Sequence, residues 1–201
     1  NMSSIKPKAN ISFAAINPYA ESNIITPKET KYTGKEFVEW GDGNQYPEYL
    51  QALYDNVPTL KSIIDGCVDY AVGDGVSILP LTDTLPNGVM NLKGDTIVEQ
   101  FRDVSFDCFF AGGLALQIIR NGYGDPVETH YIDMRFLRAN KECTVFYYSE
   151  NWSKGGKKDV IVYPAFMPNL DWNALTDEER NRHASSILYV KKSHKKTYPV
   201  P

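Results

Sequence analysis

At 201 residues the chain has room for one domain, or one domain and an appendage, and 42% hydrophobic with 23% charged residues is an ordinary balance for a chain that buries a core. The net charge of −4 is unevenly spread: residues 1–150 carry 12 Lys+Arg against 20 Asp+Glu, and residues 151–201 carry 9 against 5. An acidic body lacks the basic footprint of a general nucleic-acid binder. No apolar run reaches the ~18 residues that mark a membrane span, and the first residues do not read as a signal peptide. The three cysteines, Cys67, Cys108 and Cys143, have no C-x-x-C spacing, which argues against a disulfide framework or a zinc site.

Residues 1–36 are polar, with Pro7, Pro18 and Pro27, and read as an extended arm with a short strand at 11–15. Two helices are predicted next, in a stretch from 37 to 75. The first starts at Pro47, since proline suits a first helical turn, and carries Leu50, Leu53 and Tyr54 at helical spacing. The second starts at Pro58. Leu60, Ile63, Ile64, Cys67, Val68 and Ala71 form one apolar stripe, with Lys61, Asp65 and Asp69 off it. Gly73 suits a left-handed cap, Gly75 is a second permissive position, and a short strand is expected at 76–79.

Residues 80–94 read as a loop or hairpin. A third helix is predicted from Asp95 as its cap, with Ile97, Phe101, Val104 and Cys108 as the buried seam and Gly112-Gly113 as its end. Cys67 and Cys108 then read as buried thiols, consistent with a reducing cytoplasm. Leu114 to Arg120 reads as a central strand, residues 121–125 as a hairpin turn, and Val127 to Ile132 as its return. Arg135 to Arg138 reads as a short extended piece. Residues 143–148 and 160–163 pair across a turn at 153–156, Thr176 caps a short acidic helix, and Ile187 to Lys191 is a last strand. The fold class is therefore α+β, a few helices packed on a mostly antiparallel sheet. The 13 tyrosines fit either extensive interfaces or a half-exposed sheet.

Chemistry is sparse. His130, His183 and His194 have no ligand-spaced partners. The two Gly-Asp-Gly turns lack the Lys and Ser/Thr of a phosphate loop, and Asp42 with Asn44 lacks the later ligands of a calcium loop. Asp103 and Asp107, one helical turn apart, read as a solvated acidic face rather than an acid–base pair. Asp133, Arg135 and Arg138 read as an ion-pair cluster, local or facing a neighbouring subunit. Lys191, Lys192, His194, Lys195 and Lys196 form the one basic run. It reads either as a solvated hairpin tip or, at its four lysines, as a contact for DNA phosphate or an acidic partner. No catalytic residue, cofactor site or metal site is expected.

One pattern goes beyond composition. An aromatic-Gly pair running into N-x-Y-P, a short helix, then P-x-x-x-x-I-I-x-x-x-x-D-Y-x-x-G-x-G, resembles the N-terminal part of portal proteins of tailed bacteriophages. Here it is carried by Trp40, Gly41, Asn44, Tyr46, Pro47, Pro58, Ile63, Ile64, Asp69, Tyr70, Gly73 and Gly75. The segments 109–138 and 187–201 resemble the strand, Gly turn, strand and Pro-rich turn that follow, so the likeness spans 37–201, after the arm at 1–36. The resemblance implies a wing-like region of a prophage-encoded structural subunit, with stem and clip beyond residue 201, assembled as a dodecameric ring in the virion and made in the host cytoplasm. It implies as partners other copies of the chain, the terminase large subunit, capsid and head–tail connector proteins, and DNA passing through the ring, with no membrane and no enzymatic activity. The alternatives are a stand-alone structural or interaction module, adhesin-like or tail-associated, and an enzyme whose site goes unrecognised. At ~150 mM salt we expect this chain to bind duplex DNA only weakly, because phosphate contacts by Lys and Arg supply non-specific affinity. A fluorescence-anisotropy titration reaching half-saturation below about 1 μM is the opposite outcome.

Overall fold

The computed structural model describes residues 36–75, 88–152 and 160–191. The arm with its strand at 11–15, the strand at 76–79, most of the 80–94 hairpin, the turn at 153–156 and the basic run after Lys191 lie outside the described residues.

The fold is α+β. Helix α1 (Tyr46–Asn56) has Pro47 in its first turn, and α2 (Pro58–Val72) follows after the single extended residue Val57, whose conformation the next proline dictates. Helix α3 (Ile97–Phe110) leads into β1 (Gly113–Arg120) and β2 (Pro126–Tyr131). A 3-10 turn (Met134–Phe136) then leads to β3 (Leu137–Ala139), β4 (Val145–Tyr148) and β5 (Ile161–Pro164). Helix α4 (Asp177–His183) and β6 (Ser185–Lys191) end the described chain.

All named strand pairs are antiparallel, in two three-stranded sheets ordered β2-β1-β6 and β3-β4-β5. The central place of β1 agrees with its apolar sequence. The sheet divides at Asp133, whose carboxylate accepts from the Arg135 backbone N–H at 2.8 Å and fixes the 3-10 turn where an extended piece is predicted. Among the described residues a single parallel bridge, Ala165 to Ile187, links the sheets. Gly113 allows that packing to be tight: a Cβ there would sit 2.7 Å from the Val190 carbonyl oxygen and 3.0 Å from the Met134 methyl.

The core is continuous from α2 through α3 to both sheets. Ile64, Val68 and Val72 of α2 meet Phe110 and Ala111, then Ala115, Met134, Leu137, Phe146 and Ile187. Tyr54 of α1 stands edge-on to Phe106 and Phe110, which stack on each other at 5.2 Å.

Two predicted faces are rotated. The buried line of α2 is Ile64, Val68 and Val72, with Leu60 and Cys67 half-buried, while Ile63 is 58% exposed and Ala71 is exposed too. On α3 the predicted seam is wrong. Thr96, not Asp95, is the cap, in a reciprocal capping box with Glu99. The buried positions are Gln100, Ser105, Asp107 and Phe110, while Phe101 and Cys108 are exposed. The physical reason is that α3 also lies against β2, where hydrogen bonds are available: the Gln100 amide donates to the Thr129 carbonyl at 2.6 Å and accepts from the Thr129 hydroxyl at 2.7 Å.

Neighbouring residues of α2 give a sharp test. Ile64→Asp buries an unpaired charge at a cost of several kcal/mol, comparable with the whole stability of a domain, and is expected to unfold the chain. Ile63→Asp is expected to change stability by no more than about 0.5 kcal/mol. Thermal melts by circular dichroism read both.

Candidate functional site

The residues of the aromatic-Gly pattern divide into a buried group and an exposed group. Trp40, Gly41, Asn44 and Pro47 are buried. Gly41, Gly73 and Gly75 hold φ of 77°, 51° and 107°, a region that side-chain-bearing residues avoid, and Asn44, at φ 64°, is of a type that tolerates it. The Asn44 side-chain oxygen accepts from the Trp40 backbone N–H at 3.0 Å, closing the turn from which α1 starts. Tyr46 returns a backbone N–H to the Trp40 carbonyl at 3.1 Å.

That turn is anchored on Arg138 of β3, which is 2% exposed. Its Nε donates to Asn44 Oδ1 at 2.8 Å, and its Nη1 donates to the carbonyls of Arg135 and Leu137, both at 2.8 Å. The guanidinium lies 5.4 Å from the Trp40 ring centre and 4.9 Å from that of Trp152. Trp152 is held by an N–H donated to the Phe136 carbonyl at 2.8 Å and by the edge of Phe37 at 4.9 Å. Lys191, at the end of β6, places its ammonium 4.2 Å from the Trp40 ring centre. Burial pushes the Arg138 guanidinium down to about 9, so it remains charged at neutral pH.

Arg138 therefore does not join the predicted ion-pair cluster. Asp133 and Arg135 do pair, with Nε donating to both carboxylate oxygens at 3.0 and 2.9 Å, while Arg138 points into the interior. His130 lies in β2, partly buried against Glu128 at 3.1 Å. Lys192, Lys195 and Lys196 lie outside the described residues.

A second buried polar group is Asp107. It is 1% exposed, which corrects the expectation of a solvated acidic face. Asp107 Oδ2 accepts from the Tyr131 hydroxyl at 2.9 Å and from the Met134 backbone N–H at 3.1 Å. Desolvation outweighs those two bonds and pushes the carboxyl up to about 7. Asp103, one turn earlier, is exposed and lines a polar cleft of about 140 Å³ with Asp95, Glu99 and His130. Among the described residues no group of His, Cys, Asp or Glu side chains is arranged to hold a metal ion. Asp107 is sealed beneath Tyr131, out of reach of a substrate, and acts as a structural acceptor.

The exposed group of the pattern lies on α2. Tyr70 is 91% exposed, Pro58 is exposed, and Asp69 is exposed and paired with Arg102 of α3. With Ile63, Tyr70 gives the outer side of α2 two large side chains that the fold does not bury.

Sequence reasoning singled out Trp40 and Asn44, placed Arg138 in the ion-pair cluster and Asp107 on a solvated face, and missed Trp152. The one available signal of the buried acid was Asp107 itself, a lone carboxylate between Phe106 and the run Cys108-Phe109-Phe110. No protein-family model, curated protein or solved structure matches the chain. Among the described residues no helix is long and apolar enough to cross a membrane.

The Asp107 environment sets a pH dependence. An unfolded chain loses this proton near 3.8 and the native one near 7. Between those values the native state holds the proton that the unfolded state has released, so Asp107 makes stability fall as pH rises from 4 to 7. The loss is on the order of a few kcal/mol at 1.36 kcal/mol per unit. Asp107→Asn is expected to gain on the parent between pH 4 and pH 8, by several degrees in Tm at about 2–4 °C per kcal/mol. Melts at the two pH values that show a constant difference would contradict this account.

Proposed function

We propose that this chain is a structural ring subunit, the wing-like region of a portal protein of a tailed bacteriophage or prophage. In this reading copies assemble into a closed, dodecameric ring through which DNA is packaged and ejected. The terminase large subunit, the capsid and the head–tail connector dock on the ring, and the hydrolysis of ATP belongs to the motor rather than to this chain. The ring takes its place in the virion.

The observation that carries the reading is the way the pattern residues divide. Trp40, Gly41, Asn44 and Pro47 are buried and build the turn that fixes the helix pair on the sheets, as an architectural motif requires. Tyr70 and Ile63, in the same pattern, stand at 91% and 58% exposure on the outer side of α2. Large apolar side chains that folding leaves in water suit a contact between subunits, and aromatic residues are the commonest anchors of such contacts. A ring needs one patch on each flank of the subunit, in heterologous contact. The acidic balance of residues 1–150 supports a wall along which a duplex moves without adhering.

Light scattering with negative-stain microscopy on the full-length gene product tests this. We expect closed rings, and we expect Ile63→Lys with Tyr70→Lys to weaken assembly by about tenfold or more, the scale of a hot-spot loss, without lowering Tm. A product that stays monomeric at high concentration contradicts the portal reading.

A further inference from the structure

Among the described residues Arg138 is a buried cation with no carboxylate at ion-pair distance. Its Nε and Nη1 are fully used, on Asn44, Arg135 and Leu137. Its Nη2 has no protein acceptor, and it is not sealed from solvent, since the only buried side-chain polar atom without a partner among the described residues is the Ser186 hydroxyl. A cavity of about 440 Å³ lies against Arg138, walled by Asn44, Gln51, Ala52 and Trp152. Arg135 also lines it but is already neutralised by Asp133 and donates to Gln51 Oε1 at 2.6 Å.

We propose that this cavity is a binding site for a single carboxylate, which the free Nη2 of Arg138 receives against the face of Trp152. A guanidinium N–H donates about twice as strongly to a charged oxygen as to a neutral one, and a carboxylate at Nη2 adds to the stabilisation that the field of Glu39 already gives this buried cation. Two oxyanion classes compete for such a donor, and the surroundings separate them. Glu48, Asp55 and Glu150 are exposed at the edge of the cavity. Three negative charges there repel a dianionic phosphate more strongly than a monovalent carboxylate, since Coulomb repulsion scales with charge. The carboxylate comes from a free small acid or from an Asp or Glu side chain of a second copy of this chain.

The test uses the ¹⁵N-labelled chain and follows the Arg138 Nε–H and Trp152 indole N–H resonances. Sodium propionate, the end of a glutamate side chain, is expected to shift both with saturation, and the isosteric neutral propionamide to leave them in place. Ala52→Trp, at an exposed position of α1, fills the cavity without touching Arg138 and is expected to abolish the shifts while Tm is kept. Glu48→Gln with Glu150→Gln removes like charge and is expected to tighten propionate binding about two- to fivefold, the scale of surface charge pairs. Shifts on raising the protein concentration alone, lost in Ala52→Trp, assign the carboxylate to a second copy. Shifts that need added acid assign it to a free ligand. Equal response to propionamide, tighter binding of inorganic phosphate, no response to propionate or protein concentration, or shifts that survive Ala52→Trp overturns the proposal.

Discussion

A single charge in the wrong medium holds this structure together. Arg138 sits 2% exposed in β3, and a guanidinium taken out of water costs several kcal/mol unless its surroundings replace the lost solvent. Part of the replacement comes from far along the chain. One acceptor is the side chain of Asn44, 94 residues earlier, two are the nearby backbone carbonyls of Arg135 in the 3-10 turn and Leu137 in β3, and two indole rings stand close to the guanidinium. Asn44 can serve only because its turn holds a left-handed backbone, and that turn launches α1. Trp40 is contacted by cations from both sheets, Arg138 of the second and Lys191 of the first. The orientation of the helix pair over the sheets is thus fixed by polar geometry as well as by apolar area.

The parts of the fold that were legible in the sequence follow the rule of apolar inside and polar outside. Helices α1 and α2 have proline starts and an apolar stripe, and β1 is mostly apolar, as suits a central strand. Helix α3 was legible as a helix but not in its orientation. It buries Gln100 and Asp107 because Thr129, Tyr131 and the Met134 backbone meet them with hydrogen bonds. Periodicity sees residue type and cannot see a partner that comes from a different strand. The same limit explains Ile63 and Val72. Both are β-branched and apolar, and which of the two faces the core depends on where α3 lies, not on anything within α2.

The candidate site was legible only in halves. Trp40 and Asn44 stood out by their spacing ahead of Tyr46-Pro47, yet their purpose depends on Arg138, which sequence proximity assigned to Asp133 and Arg135. The structure separates the three, because the 3-10 turn points Arg135 back to Asp133 and sends Arg138 inward between Leu137 and Ala139, which are both buried. Trp152 was invisible for a similar reason. It belongs to the irregular segment after β4, and its place is set by a bond to the Phe136 carbonyl.

The two sides of α2 differ in what they ask of the protein. The inner side, Ile64, Val68 and Val72, is used up in folding. On the outer side, Asp69 and Arg102 form an exposed pair whose side chains keep 63% and 56% of their surface. Such pairs contribute about 0–1 kcal/mol, too little to set the helix orientation. Ile63 and Tyr70 take no part in the core, so their loss costs the isolated chain almost nothing. Full burial of a side chain of that size releases about 1.5–3 kcal/mol, so covering Tyr70, at 91% exposure, releases most of that amount and covering Ile63, at 58%, correspondingly less. The free energy stored in the outer side of α2 is therefore available only to association. In the proposed ring an acidic chain would bring that side to a neighbour against like-charge repulsion, so shape and apolar contact, rather than surface ion pairs, would be the terms to hold two copies together.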